Sequence, residues 1–126
     1  MGLTVLTISV ANPADPARRE DVRFLIDSGA VYSFVPREIL SKLKIVAHSR
    51  QRFGLADGSL IERERADAQF FYKDRQGAAP VIFGEPGDAV LLGATTLETL
   101  GFVLDAVHRE LVPLPMVVGG PLRASS

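Results

Sequence analysis

The sequence predicts a small, mainly β domain of barrel-like architecture with one or two short helices. Many short apolar segments rich in β-branched residues are separated by glycine- and proline-rich turns, and only two segments have helical features. A chain of 126 residues is the size of one domain. With 47% apolar and 23% charged residues, it has an ordinary globular composition and can bury a core.

The first third of the chain predicts three strands and a helix. Residues 4–10 alternate in polarity and are predicted as a strand, which returns after a loop at 12–16 as a second strand over 22–26. Residues 31–35 predict a third strand. Residues 36–43 predict a short helix, because proline suits a first helical turn and apolar residues then recur at helical spacing.

The middle of the chain predicts a long charged hairpin. Its strands are expected at 50–55 and from 60 to 72, joined by the turn 56–59, whose Asp-Gly pair is typical of hairpins. A second turn is predicted at 73–77. A strand at 81–83 and a loop at 84–88 follow.

The last third predicts a short helix and a closing hairpin. The apolar run 89–93 ends in glycine, and Thr95 with Glu98 fits a capping box at the start of a helix. Gly101 is a natural helix stop. A hairpin is expected from 102–104 and 110–112. One domain over 1–118 and a disordered tail over 119–126 complete the prediction.

Composition excludes several classes of function. The net charge of −1 and the lack of a basic stripe argue against nucleic acid as a partner. The chain has no cysteine, which excludes disulfides and zinc–thiolate sites. No apolar run reaches the ~20 residues of a membrane span, and the start lacks the basic head of a signal peptide. A cytoplasmic location without membrane association is therefore the default expectation.

The triplet Asp27-Ser28-Gly29 is the strongest candidate site. It follows the apolar residues 24–26, so its carboxyl group is expected at the end of a buried strand, on a turn that the serine and glycine can shape. A carboxyl held there suits general acid–base chemistry. The same letters are also common turn chemistry. With Ser33 they resemble a phosphorylation-dependent degradation signal, which needs polar, exposed surroundings that this segment lacks.

Other candidate sites are weaker. His48 and His108 are isolated in the sequence, and no third ligand stands near His108 at recognisable spacing, so no metal site is expected. Asp105 is interpreted as a turn acid. Neither a serine-hydrolase elbow nor a phosphate-binding loop occurs, and no cofactor is expected.

Three segments together resemble the retropepsin-like aspartic proteases, the single-domain relatives of pepsin. They are F-L-I-D-S-G-A at 24–30, G-L-A-D-G-S at 54–59, and V-L-L-G-A at 90–94 followed by a helix. The resemblance covers about residues 3–115. The predicted helix at 36–43 makes the chain more similar to bacterial and cellular members than to compact viral ones.

The resemblance implies a closed β-barrel of the retropepsin type and a homodimeric endopeptidase acting on peptides or proteins. Each chain would supply one Asp27 to a catalytic pair, oriented by Ser28 and Gly29, while Gly93 would thread beside that turn. The hairpin 50–66 would close over the peptide as a flap. The implied substrate-binding residues lie beside the triplet and at the flap tip: Ala30, Leu55, Ala56, Asp57 and Gly58.

The chain departs from the viral pattern at four places. Val31 and Tyr32 stand where viral members carry acids, Ala94 stands where they carry arginine, and Gly58 is the only glycine of the flap tip. An alternative function is therefore a retropepsin-like domain that binds peptides or dimerises with little or no proteolysis. The apolar segment 111–118 either contributes to a dimer contact or covers the core of its own chain.

Overall fold

A computed structural model describes residues 3–114 and is mainly β, which confirms the predicted class. The strands and helices are β1 (Val5–Asn12), β2 (Asp15–Ile26), β3 (Ser33–Pro36), α1 (Arg37–Lys42), β4 (Ser49–Gly54), β5 (Leu60–Tyr72), β6 (Arg75–Gly84), β7 (Leu91–Leu92), α2 (Ala94–Leu100), β8 (Phe102–Asp105) and β9 (Glu110–Pro113). The predicted tail at 119–126 lies outside the described residues, as do residues 115–118.

The main sheet has the strand order β1-β2-β7-β3-β6-β5-β4. β1 also pairs with β5, so the pairings form a ring to which β4 is attached from outside. The short strand β7 lies between β2 and β3, parallel to β2 and antiparallel to β3. This insertion places the end of β2 and the start of α2 side by side. β8 and β9 form a separate two-stranded sheet, the predicted closing hairpin.

The hairpin between β1 and β2 is tighter than predicted. The expected loop at 12–16 is wrong, because β1 continues to Asn12 and β2 begins at Asp15. The Asn12 side chain explains the tight turn, since its Oδ1 accepts a hydrogen bond from the Ala14 N–H at 2.9 Å. Its Nδ2 donates to the carbonyls of Leu43 and Lys44, just after α1.

β6 is also longer than predicted. The expected turn at 73–77 ends at Asp74, and β6 runs from Arg75 through the predicted strand at 81–83. Two residues are enough for this turn because Lys73 adopts a left-handed φ of 54°. Conversely, β3 begins only at Ser33, and only Leu91–Leu92 of the apolar run 89–93 forms a strand.

The two helices are found where they were predicted, but one cap differs. α1 follows Pro36, and α2 ends at Gly101, which has the left-handed φ of 82° that favours glycine at a helix stop. The predicted capping box of Thr95 and Glu98 is wrong: Gly93 is the N-cap, with no side-chain cap. None of the helices in residues 3–114 is long and apolar enough to cross a membrane.

The hydrophobic core joins the strands of the ring to both helices. Phe24 on β2 and Phe70 on β5 are fully buried, with ring centroids 6.3 Å apart. Leu40 from α1 and Leu97 from α2 belong to the same buried cluster. The core therefore holds the strand that carries the candidate site against the strand that leads into the long hairpin.

Replacing Phe70 with alanine should lower the free energy of unfolding by about 3–5 kcal/mol, because it removes a fully buried ring and leaves a cavity. Urea denaturation followed by circular dichroism measures this. Leu60→Ala is the matched control, since Leu60 is 65% exposed and its loss should change the free energy by less than about 0.5 kcal/mol. Equal effects of the two variants would contradict the assignment of the core.

Candidate functional site

The turn 27–30 begins where β2 ends and fixes the Asp27 carboxyl. The Asp27 N–H donates to the Leu92 carbonyl at 3.0 Å, which ties the turn to β7. The Gly29 N–H donates to Asp27 Oδ1 at 3.0 Å, and the Ala30 N–H donates to the Asp27 carbonyl. Asp27 is half-buried, whereas Ser28 and Gly29 are exposed. One carboxylate oxygen is thus held by the backbone at the edge of the molecule.

Gly93 packs directly against this turn. A Cβ at this position would lie 2.5 Å from the Tyr32 carbonyl oxygen and 2.9 Å from that of Ala30, closer than any side chain allows. The next two N–H groups, of Ala94 and Thr95, donate to the carbonyls of Ala30 and Val31 at 2.7 and 3.1 Å. The structure therefore brings the predicted second glycine beside the triplet, through close backbone contact.

A buried pair of hydroxyl groups supports the same contact, and sequence analysis missed it. Ser33 and Thr96 are both fully buried, and their hydroxyl oxygens lie 2.5 Å apart. Ser33 Oγ also accepts a hydrogen bond from the Gly93 N–H at 2.9 Å. A serine hydroxyl held in this way is inaccessible, which removes the basis for interpreting 27–33 as a phosphorylation signal. The only indication of this pair in the local sequence is Thr96, a threonine on an otherwise apolar helix face.

A groove of about 500 Å³ lies between the turn and the first strand of the long hairpin. Aromatic rings form much of one wall, with the Phe53 centroid 5.3 Å from that of Phe34 and 6.3 Å from that of Tyr32. The groove is open and large enough for extended peptide side chains. Its lining residues are Gly29, Ala30, Val31, Tyr32, Phe34, Gln51, Arg52, Phe53 and Gly54.

The predicted flap tip lies outside the groove lining. Leu55, Ala56, Asp57 and Gly58 are all exposed. Asp57 shapes the turn instead, because its Oδ1 accepts hydrogen bonds from the Ser59 hydroxyl at 2.5 Å and from the Ser59 N–H at 2.9 Å. These two hydrogen bonds hold the pKa of Asp57 below its usual value, and the bond from the Ser59 hydroxyl has the larger effect. Among the predicted binding residues, Ala30 lines the groove and the tip residues do not.

The base of the hairpin is anchored by ion pairs. Arg63 on β5 donates to both carboxylate oxygens of Asp88, at 2.7 and 2.9 Å, and both side chains are largely buried. This contact lowers the pKa of Asp88 and raises that of Arg63. Arg37 bridges Glu85 and Glu64, and its hydrogen bond to Glu85 is the main reason that its pKa is raised and that of Glu85 is lowered. The hairpin is thus fixed at its base and exposed at its tip.

A second concavity includes Ser28 of the triplet in its lining. It has a volume of about 190 Å³ and is bordered by α2 and β8. Its walls are mainly apolar, and they include Leu97, Phe102 and Leu104. The exposed Ser28 therefore stands next to an open apolar surface that another chain can cover.

The turn between β8 and β9 gathers three possible ligand groups that sequence spacing did not suggest. Asp105, His108 and Glu110 bring their ligand atoms within 4.8 Å of one another, because Asp105 and Glu110 are register partners. The expectation that no third ligand stands near His108 is therefore wrong. Asp105 accepts from His108 Nδ1 at 2.7 Å and from two backbone N–H groups, so it acts as the predicted turn acid. The His108 contact lowers the pKa of Asp105 and raises that of His108. The turn between β8 and β9 therefore explains by itself why the Asp105, His108 and Glu110 side chains lie close together.

No family model matches this chain, and no curated protein matches it. The resemblance to retropepsin-like proteases therefore depends on the three segments and on their placement. Segments 24–30 and 90–94 lie in direct contact. Segment 54–59 forms the tip of the hairpin whose first strand faces the turn across the groove.

Replacing Gly93 with alanine should destabilise the protein by at least about 2 kcal/mol, because the new methyl group overlaps two backbone carbonyls that cannot move independently. Thermal and urea denaturation measure the loss. Gly54→Ala is the matched control, since its nearest neighbour would be a leucine side-chain carbon at 3.8 Å, and it should change stability by less than about 1 kcal/mol. A Gly93→Ala protein of normal stability would refute the tight crossing.

Proposed function

We propose that this chain is a retropepsin-like aspartic endopeptidase that acts as a homodimer. One observation carries the proposal: the Asp27 carboxyl is held by the Gly29 N–H at the end of a core strand, beside a groove that faces a long hairpin. The ring of strand pairings supports a closed barrel of the retropepsin type. The crossing at Gly93 supports the same assignment, because it gives the triplet a rigid backing.

The proposed reaction needs two copies of Asp27, one from each chain. Carboxyls about 3 Å apart cannot both ionise readily, so they hold one proton between them and titrate as a unit. The ionised carboxylate takes a proton from water, whose oxygen attacks the scissile carbonyl carbon. The protonated carboxyl donates its proton to the carbonyl oxygen. The carboxyl that took the water proton then gives it to the amide nitrogen, a hydroxyl of the tetrahedral intermediate returns a proton to the other carboxylate, and the C–N bond breaks.

A dimer is proposed because each chain supplies one triplet. The exposed positions of Ser28 and Gly29 allow a second copy to approach the same turn about a two-fold axis. The apolar concavity next to Ser28 offers surface for that contact. The predicted contact segment 111–118 is described only to Leu114, and its residues Leu111, Val112 and Leu114 are half-buried.

The second candidate function is a peptide-binding or dimerisation domain with little or no proteolysis. The observation that favours it is the presence of Val31 and Tyr32 in the groove, where viral members carry acids that hold the substrate backbone. The single glycine of the hairpin tip, Gly58, favours it as well, because it limits the bending of a flap. In this function the groove binds peptide and Asp27 is a turn residue.

Replacing Asp27 with asparagine should reduce peptide cleavage at least about 100-fold, because it keeps the shape of the side chain and removes the ionisable group. A mixed peptide library at about pH 4–7, analysed by mass spectrometry, measures the cleavage. Asp74→Asn is the matched control, since Asp74 is 93% exposed in the turn between β5 and β6. A folded Asp27→Asn protein that cleaves like the wild type would exclude Asp27 from the mechanism.

Mixing the wild type with Asp27→Asn chains should suppress activity, because mixed dimers carry one functional acid. At a ninefold excess of the variant, random pairing leaves only about a tenth of wild-type chains with a wild-type partner, so activity should fall about tenfold. The same excess of Asp74→Asn chains should not suppress it. An active monomer in sedimentation under assay conditions, or no suppression after subunit exchange, would refute the dimeric mechanism.

A further inference from the structure

The groove beside the triplet contains no carboxylate among its lining residues, although acids are frequent elsewhere on the hairpin. Its one charged lining side chain is Arg52, which is 75% exposed. The nearest acid to Arg52 is Glu62 at 3.9 Å, and Glu62 pairs more closely with Arg50 at 2.9 Å. The open side of the groove therefore presents a cation that is only weakly neutralised.

A second cation, Arg65, lies directly behind the lining. Its guanidinium carbon is 4.8 Å from the centre of the Tyr32 ring, and its Nη1 donates to Tyr32 Oη at 3.1 Å and to Gln51 Oε1 at 3.3 Å. Its Nε is buried without a hydrogen-bond partner among the described residues. Residues 3–114 also supply no carboxylate within ion-pair distance of Arg65, unlike the neighbouring Arg63, which pairs with Asp88.

These hydrogen bonds determine what the groove offers to a ligand. Tyr32 accepts a hydrogen bond from Arg65, so its single hydroxyl proton is directed to another acceptor. The Gln51 carbonyl is likewise occupied by Arg65, and one of its two N–H groups donates to the Arg52 carbonyl at 3.3 Å. The groove lining therefore carries a hydroxyl donor, an amide donor and the guanidinium of Arg52, and the guanidinium of Arg65 lies directly behind it.

We infer that the groove selects peptides with an acidic side chain, Asp or Glu, and that Tyr32, Arg52 and Arg65 determine this specificity. The inference rests on the proposed function, because it takes the ligand to be a peptide. A carboxylate accepts hydrogen bonds and donates none, which matches a lining of donors. It also supplies the opposite charge that the partly buried Arg65 lacks, and an unpaired charge there is costly.

Arg65 acts as a positioning residue in this arrangement. It orients the Tyr32 hydroxyl and the Gln51 amide by occupying their acceptors, and it contributes its charge from behind the ring. Arg52 contacts the ligand from the open side. The charged groups close to this part of the groove are thus the cations Arg52 and Arg65 and the acids Glu62 and Asp27. Glu62 is paired with Arg50, and Gly29 and Ala30 separate Asp27 from the aromatic wall.

The test is a binding measurement on full-length Asp27→Asn protein, which removes cleavage from the readout. The probes are fluorescein-labelled mixed decapeptide libraries with one Asp fixed at each position in turn, and matched libraries with Asn at that position. Fluorescence anisotropy at about pH 6.5 keeps the Asp side chain ionised. At one position or more, the Asp library should bind about tenfold more tightly than the Asn library, and added salt should reduce this ratio.

Variants then locate the selecting groups. Tyr32→Phe keeps the ring and removes the hydroxyl, and Arg52→Gln removes the exposed charge, so each should lower the Asp-to-Asn affinity ratio at least threefold. Arg18→Gln removes one positive charge outside the groove lining and should leave the ratio unchanged. Equal binding of the two libraries at every position, no binding of either library, or a ratio unaffected by both groove variants would overturn the inference.

Measuring peptide cleavage by the wild-type protein distinguishes a failure of the proposed specificity from a failure of the proposed protease activity. If wild-type protein cleaves peptides without any preference for an acidic residue, and binding shows none, the specificity is wrong and the protease assignment stands. If binding depends on Asp as expected but wild-type protein cleaves no peptide, the proteolytic function is wrong and the acid-selective groove stands.

Discussion

The close crossing of Gly93 over the turn after β2 is the constraint on which the candidate site depends. The first N–H groups of a helix have no partner within the helix. In α2, two of them donate to the carbonyls of Ala30 and Val31, so the turn itself caps the helix. This is why the predicted capping box is not used. Because the backbones must approach this closely, a side chain at position 93 would separate the helix from the turn that carries Asp27.

The buried hydroxyl groups extend this rigid region into the core. Ser33 accepts from the Gly93 N–H and bonds Thr96, so β3, the crossing and α2 form one hydrogen-bonded unit. Buried polar groups are costly when unpaired, and their mutual satisfaction favours one arrangement of these elements. The long hairpin is built differently, with ion pairs at its base and an exposed tip. A rigidly held Asp27 that faces a hairpin anchored at its base and less restrained at its tip suits a site that must admit an extended ligand.

Local sequence patterns predicted the features that depend on neighbouring residues. Alternation and turn chemistry predicted the strand over 60–72, and the glycine stop predicted the end of α2 at Gly101. The pairing of Ser33 with Thr96 could not be predicted in this way, because it joins residues that only the fold brings together. The same holds for Arg65: its pattern of alternating charges predicts a solvated strand, and only the tertiary structure places its guanidinium against Tyr32.

The charges around the groove have a consequence for the proposed chemistry. Among the described residues Asp27 has no ion pair, so a peptide carboxylate approaching the groove would be repelled by it. In the proposed dimer the second Asp27 adds to that repulsion unless the pair holds a proton. Arg52 lies on the wall where the peptide would bind and Arg65 lies behind it, and they offset the repulsion there without neutralising the catalytic pair directly. Because these cations lie at this wall rather than beside Asp27, the shared proton would stay available for the reaction while the groove still attracts an acidic ligand.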